Sequence, residues 1–238
     1  MAQESEPLKT DRPDFTEGAW TITPGRIQVE MGYTFSRVGE QDEQDFGELL
    51  IRLGILPWLE GRLGLKSFVV LQDPTADRSG LDDLTIGFKV RLHRQSEGSS
   101  AAIPRVTLGV GAALPTGASE IGSSEVVPGT KVTAGWDLSD RFSVGSNVGW
   151  LYGYAEGERF HQGIASVVLG YSLSDPLTGY VEWYGLFPEN PGGGSGNYVD
   201  GGLAWLLNPN LQIDWRIGAG LQDPSPNWFT GVGLSFRL

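Results

Sequence analysis

In Asp83-Leu84-Thr85-Ile86-Gly87-Phe88-Lys89-Val90-Arg91-Leu92 every second side chain is apolar. Leu84, Ile86, Phe88, Val90 and Leu92 share one face, and Asp83, Thr85, Gly87, Lys89 and Arg91 share the other. A repeat of two marks a strand whose faces meet different surroundings. The same alternation recurs at 25–37, 46–56, 105–114, 129–138, 142–152, 161–173, 177–187, 198–207, 211–221 and 228–238, and in a run from Leu59 that breaks at Asp73-Pro74. In the first of these Ile27, Val29, Met31, Tyr33 and Phe35 oppose Gln28, Glu30, Gly32, Thr34 and Ser36. In the run from Leu59, the residues Leu63, Leu65, Val69 and Leu71 are expected opposite Glu60, Arg62, Gly64 and Lys66. Strands 161–173 and 177–187 are ambiguous in facing. The expected fold is all-β, a transmembrane antiparallel up-and-down β-barrel of about twelve strands, with residues 1–24 ahead of a barrel at 25–238.

Composition agrees with strands and tight turns: 35 Gly, 11% aromatic and only 19% charged residues. A formal charge of -12 argues against nucleic acid, which needs a basic face. The chain has no cysteine, which excludes disulfides and thiolate chemistry and leaves the compartment open. No run approaches the roughly 20 apolar residues of a spanning helix. Mean hydropathy of -0.16 would suit a soluble protein, but alternating strands average out to such values while one face stays greasy. The opening Met1-Ala2-Gln3-Glu4 has neither a basic region nor an apolar core, so a mature form behind a start Met is expected.

Tight connections at 56–59, 138–141, 174–176 and 208–210 alternate with longer ones around Gly39, Thr75, Ser119, Gly157, Gly193 and Asp223; the polar stretch 93–104 is a longer exception on the tight side. Short turns at one rim and longer loops at the other are the outer-membrane arrangement, with both termini on the periplasmic rim. Aromatic residues fall at both strand ends, as membrane interfaces demand. Trp58, Trp136, Phe142, Trp205, Trp215 and Phe236 mark the short-turn end; Phe35, Tyr152, Tyr154, Phe160, Phe187, Tyr198 and Trp228 mark the long-loop end.

If the apolar face meets lipid, the lumen is lined by Glu30, Glu48, Arg52, Glu60, Arg62, Lys66, Asp83, Lys89, Arg91, Arg105, Lys131, Asp137, Glu182, Asp214 and Arg216. Most of these read as mutually paired charges that keep the interior wet; as a set they read as a solute path. Tyr180 and Tyr184 beside Glu182 would offer an apolar entry, or simply pack. A twelve-strand lumen is too wide for side chains to fill. The N-terminal segment, with Asp11, Arg12, Asp14 and Glu17, is either a lumen plug or a periplasmic tail; as a plug it would meet Glu60, Arg62, Arg91, Arg105 and Asp137. Catalysis has little support: there are two histidines, His93 and His161, and no nucleophile elbow. Gly192-Gly193-Gly194-Ser195-Gly196 lacks the Lys-Ser/Thr of a phosphate loop and reads as linker. Neither Asp82-Asp83 nor Asp73 with Asp77 has calcium-loop spacing, so no metal or other cofactor is expected.

Several stretches together resemble an outer-membrane transporter family named for the MetA pathway of phenol degradation. They are Thr10-Asp11-Arg12-Pro13-Asp14-Phe15-Thr16-Glu17, Pro24-Gly25-Arg26-Ile27-Gln28-Val29-Glu30, Ala113-Leu114-Pro115-Thr116-Gly117, Trp136-Asp137-Leu138-Ser139-Asp140-Arg141, Glu182-Trp183-Tyr184-Gly185-Leu186-Phe187 and Leu207-Asn208-Pro209-Asn210-Leu211. The resemblance implies passage of small, aromatic or hydrophobic, compounds across a Gram-negative outer membrane, and supplies no catalytic residues. The ending Gly231-Val232-Gly233-Leu234-Ser235-Phe236-Arg237-Leu238 is similar to the signal read by barrel-insertion machinery, departing in its final Leu. The expected partners are therefore the lipid bilayer, a small-molecule solute and that machinery, with oligomeric state open. A barrel enzyme of the lipid-hydrolase type, a soluble ligand-holding barrel and a non-conducting structural barrel are the alternatives.

Overall fold

The computed structural model describes residues 7–94, 102–155, 157–222 and 225–238, apart from the side chain of Lys66. Most of the predicted 93–104 linker, and Asp223, lie outside the described residues. Thirteen strands follow one another: β1 (Ile27–Val38), β2 (Gln41–Leu56), β3 (Leu59–Gln72), β4 (Arg78–Leu81), β5 (Leu84–His93), β6 (Arg105–Leu114), β7 (Val127–Asp137), β8 (Phe142–Ala155), β9 (Glu158–Ser174), β10 (Leu177–Phe187), β11 (Gly196–Asn208), β12 (Leu211–Gly220) and β13 (Trp228–Arg237). Each pairs antiparallel with its neighbours, and β1 closes the ring on β13. Strands β4 and β5 share one partner: β4 lies along Phe68–Leu71 of β3, and β5 along Leu59–Leu65. They are two halves of a single stave, so the barrel has twelve, as the alternation predicted. Asp82 and Asp83 form the break between them.

The chain is inside-out relative to a soluble domain. Its buried side chains are mostly polar, with Gln28, Glu30, Glu60, Thr107, Asn147 and Ser235 at 0% exposure, while Val148, Val181, Phe88, Trp205 and Leu173 are 50–65% exposed. A barrel with an apolar exterior and a polar interior spans a membrane without unsatisfied backbone, because closure leaves no sheet edge. This is the architecture of a Gram-negative outer-membrane protein.

Strict alternation fails in one band near the long-loop end. Gly47 and Glu48 adopt φ of 106° and 39°, and the β1–β2 register shifts between Glu30 and Gly32. This bulge reverses facing along β2, so Phe46 is 44% exposed and packs on Tyr33 outside. Facing reverses in β3 as well. Ser67 and Val69 are buried, at 4% and 6%, and Phe68 is exposed, which corrects the outward placement of Val69. Tyr198, at 5%, also faces the lumen and does not join the girdle. Phe160 shares the inner face with Gln162 and packs against the inward Gly153. Strand β9 was ambiguous because both faces are apolar: Val167 and Leu169 point to lipid, while Ile164 and Val168 are buried inside.

Candidate functional site

Residues 8–23 lie inside the barrel. The backbone N–H of Leu8 donates to Pro209 O at 2.9 Å on the short-turn rim, and the chain returns to that rim where Ile22 N–H donates to Glu60 at 2.9 Å. Gly54 makes room for the return leg: a Cβ there would stand 2.1 Å from Thr23 O. Between these points the segment forms a loop with its tip at Asp14-Phe15-Thr16.

The lower half of the loop is held by charge. Asp11 pairs with Arg62 at 2.6 Å and Lys89 at 3.0 Å, and Glu17 pairs with Lys131 at 3.0 Å and Lys89 at 3.1 Å. Arg52 binds Glu30 at 2.9 Å and Glu60 at 2.8 Å, with Asp11 at 3.5 Å. Burial alone would raise Asp11, but Arg52, Lys89 and Arg62 outweigh it and hold this carboxyl far below the usual range. Arg62, Lys131 and Lys89 likewise overcome burial at Glu17 and keep it well below normal. Trp20 lies between Lys9 Nζ, 3.2 Å from its ring, and the Arg105 guanidinium at 3.9 Å.

Hydrogen bonds and stacking hold the tip. Glu182 accepts the backbone N–H groups of Phe15 at 2.6 Å and Thr16 at 2.7 Å, together with the Thr16 hydroxyl. With its amide turned to donate to Thr133 Oγ1, Asn147 accepts Glu17 N–H at 2.8 Å. Phe15 stacks on Tyr184 at 4.2 Å, and Tyr184 on Tyr198 at 4.4 Å, so three rings run from the tip to the wall. Arg12 binds Glu48 at 2.7 Å and Asp214 at 3.4 Å, over Gly32 and Gly233, where any Cβ would collide with its guanidinium. Arg216 joins Glu48 at 3.4 Å and donates to Pro13 O at 3.2 Å.

Asp14 is the exception at the tip. Burial first, then the Glu182 carboxylate, push it well above the usual range. A raised value means that docking is favoured at low pH and weakens as pH climbs through the docked pKa. Asp14→Asn should remove that dependence. Exchange of the Phe15 and Thr16 amides, corrected for intrinsic rate, is expected to slow relative to the parent by up to about tenfold per pH unit above the free value. A pH-independent ratio would show that Asp14 does not titrate against docking.

Of the predicted lumen residues, Glu30, Glu48, Arg52, Glu60, Arg62, Lys89, Arg105, Lys131, Glu182, Asp214 and Arg216 converge on the segment. Arg91 stays at the rim against Pro57 O, and Asp137 pairs with Arg105 at 2.8 Å and interacts electrostatically with Lys9 of the segment. The side chain of Lys66 lies outside the described residues. Asp83 faces inward at the other end, accepting N–H groups from Thr116 at 3.1 Å, Gly117 at 2.8 Å and Ser123 at 2.8 Å, and so tacks the β6–β7 loop into the mouth. His161 stands on the outer face, ringed by Trp150 and Tyr152. Among the described residues no group of three or more histidines and carboxylates is placed to hold a metal ion.

A family model described as "Putative MetA-pathway of phenol degradation" matches residues 10–238. The chain belongs to this family. Three of the stretches that carried the family resemblance meet in the lumen: residues 10–17 dock onto Glu30 through the Asp11 N–H, and onto Glu182 and Tyr184 through Phe15. A comparison with curated proteins finds no match. Among solved structures, an outer membrane channel from Pseudomonas putida F1 aligns over 97% of this chain and 100% of its own, with a TM-score of 0.71 at 13% identity. A KdgM porin aligns at 0.60 with 9% identity over 88% of this chain and 98% of its own. The NanC porin aligns at 0.56 with 12% identity over 89% and 100%. At these identities the likeness is one of fold.

Sequence reading missed Phe15, Thr16, Trp20, Asn147 and Tyr198 as site residues. Phe15 and Thr16 stand within the family stretch and could have been taken from it. Asn147 and Tyr198 give no local signal, because their partners lie on other strands.

Proposed function

We propose that this protein is an outer-membrane channel, without catalytic activity, that passes small solutes down their gradient, and that residues 8–24 narrow its lumen. The observation that carries this reading is a space of about 290 Å³ left between Glu17 and the inner wall of β5–β9, beside the ion-paired segment. Its lining includes Leu50, Leu151, Ile164 and the backbone around Gly87, Gly111 and Gly129, a surface suited to compact, apolar or aromatic solutes. The fold likeness to the Pseudomonas putida channel and the two porins is supporting analogy, since fold alone does not fix function. Purified full-length protein in a planar bilayer should give discrete, small current steps in KCl. Protein that inserts and stays heat-modifiable yet never conducts would overturn the reading.

A further inference from the structure

Resting on the channel reading, we propose that this 290 Å³ space is a binding site for a small anion with an apolar body, such as an aryl carboxylate, whose charged end is taken by Lys131. Three observations converge on it. The first is shape. Gly87 and Gly111 face each other across β5 and β6, and a Cβ on either would meet the neighbouring strand's backbone at 2.7 or 2.6 Å. Glycine is required there by strand approach, and it leaves a flat wall beside which a ring can lie.

The second is charge. The lining carries two cations, Arg62 and Lys131, against one carboxylate, Glu17. The third is unused donor capacity. An ammonium has three N–H donors, and among the described residues Lys131 gives one, to Glu17 at 3.0 Å. Its side chain is 22% exposed, the least enclosed of the cations that hold Glu17. An incoming carboxylate can therefore bind Lys131 beside Glu17, or replace it, without unpairing Arg62, which keeps Asp11 and Glu60. A neutral analogue gains the apolar contacts only. An organic cation meets two like charges.

Binding to the detergent-refolded full chain is read by ¹⁹F NMR line broadening of 4-fluorobenzoate, with 4-fluorobenzyl alcohol and 4-fluorobenzylamine as charge controls. The benzoate is expected to bind most tightly. Lys131→Met should weaken it about tenfold, the worth of one charge-assisted hydrogen bond, and leave the alcohol unchanged. Glu17→Gln should tighten it, by removing the competing carboxylate. Gly129→Leu should weaken both ligands by filling the space. Equal benzoate affinity in the parent and Lys131→Met, or no benzoate binding by the parent and Glu17→Gln alike, would overturn the proposal. Because the readout is binding, a conducting protein that ignores benzoate defeats this site alone, whereas benzoate binding by a protein that never conducts defeats the channel reading.

Discussion

Arg52→Met should unfold in detergent at a markedly lower temperature than the parent, by an amount equivalent to about 3–5 kcal/mol, the usual cost of stripping one partner from a buried ion pair. Arg52 is 1% exposed and donates to Glu30 at 2.9 Å and to both oxygens of Glu60 at 2.8 and 3.0 Å. It also reaches the backbone carbonyls of Lys9 at 3.4 Å and Trp20 at 3.3 Å, one on each leg of the inserted segment. Methionine fills much of the volume and makes none of these bonds. Glu30 and Glu60, both at 0% exposure, would then face each other across a gap with only part of their charge answered. Adding Glu30→Gln and Glu60→Gln to Arg52→Met should recover a large part of the loss, since a satisfied neutral network replaces orphaned charges. A melting temperature within a degree of the parent for Arg52→Met would mean that lumen water, and not this guanidinium, solvates the carboxylates.

The barrel was legible in the sequence because lipid imposes a repeat of two on the staves, and most of the twelve carry it within a few residues of their own sequence. Where that local rule broke, reading broke with it. At Gly47-Glu48 a bulge reverses facing without altering composition, and the reversal continues into β3 at Ser67 and Val69. Strand β9 offered no contrast, because Ile164 and Val168 are buried on the inner face while Val167 and Leu169 meet lipid. The lumen charges were identifiable one by one as members of the polar face, but not by partner. Phe15 finds Glu182 at a separation of 167 residues, and Arg12 finds Asp214 at 202. Such pairings depend on barrel closure and on the segment's path, which no window of sequence contains. Asp83 shows the same limit: its inward facing was readable, whereas its use as an acceptor for the β6–β7 loop was not.

Deleting residues 1–24 should enlarge the unitary current severalfold and make the current–voltage relation asymmetric. The enlargement follows from volume, because the segment is the main occupant of a lumen that twelve strands hold too wide to fill by themselves. The asymmetry follows from charge. In the lower half, Asp11, Glu17, Glu30 and Glu60 balance Arg52, Arg62, Lys89 and Lys131. The segment owns two of those four carboxylates, so the bare wall there keeps four cations against two acids. The upper half loses Arg12, leaving Glu48, Asp214 and Glu182 opposite Arg216. The deleted channel would therefore carry a positive band near the short-turn rim and a negative band above it, an arrangement that conducts unequally in the two directions. Raising KCl toward 1 M shortens the screening length to about 3 Å and should flatten the asymmetry while the larger conductance persists. Unchanged step size on deletion would mean that solutes bypass the segment entirely, and a larger but symmetric current would mean that the paired wall charges rearrange once their partners leave.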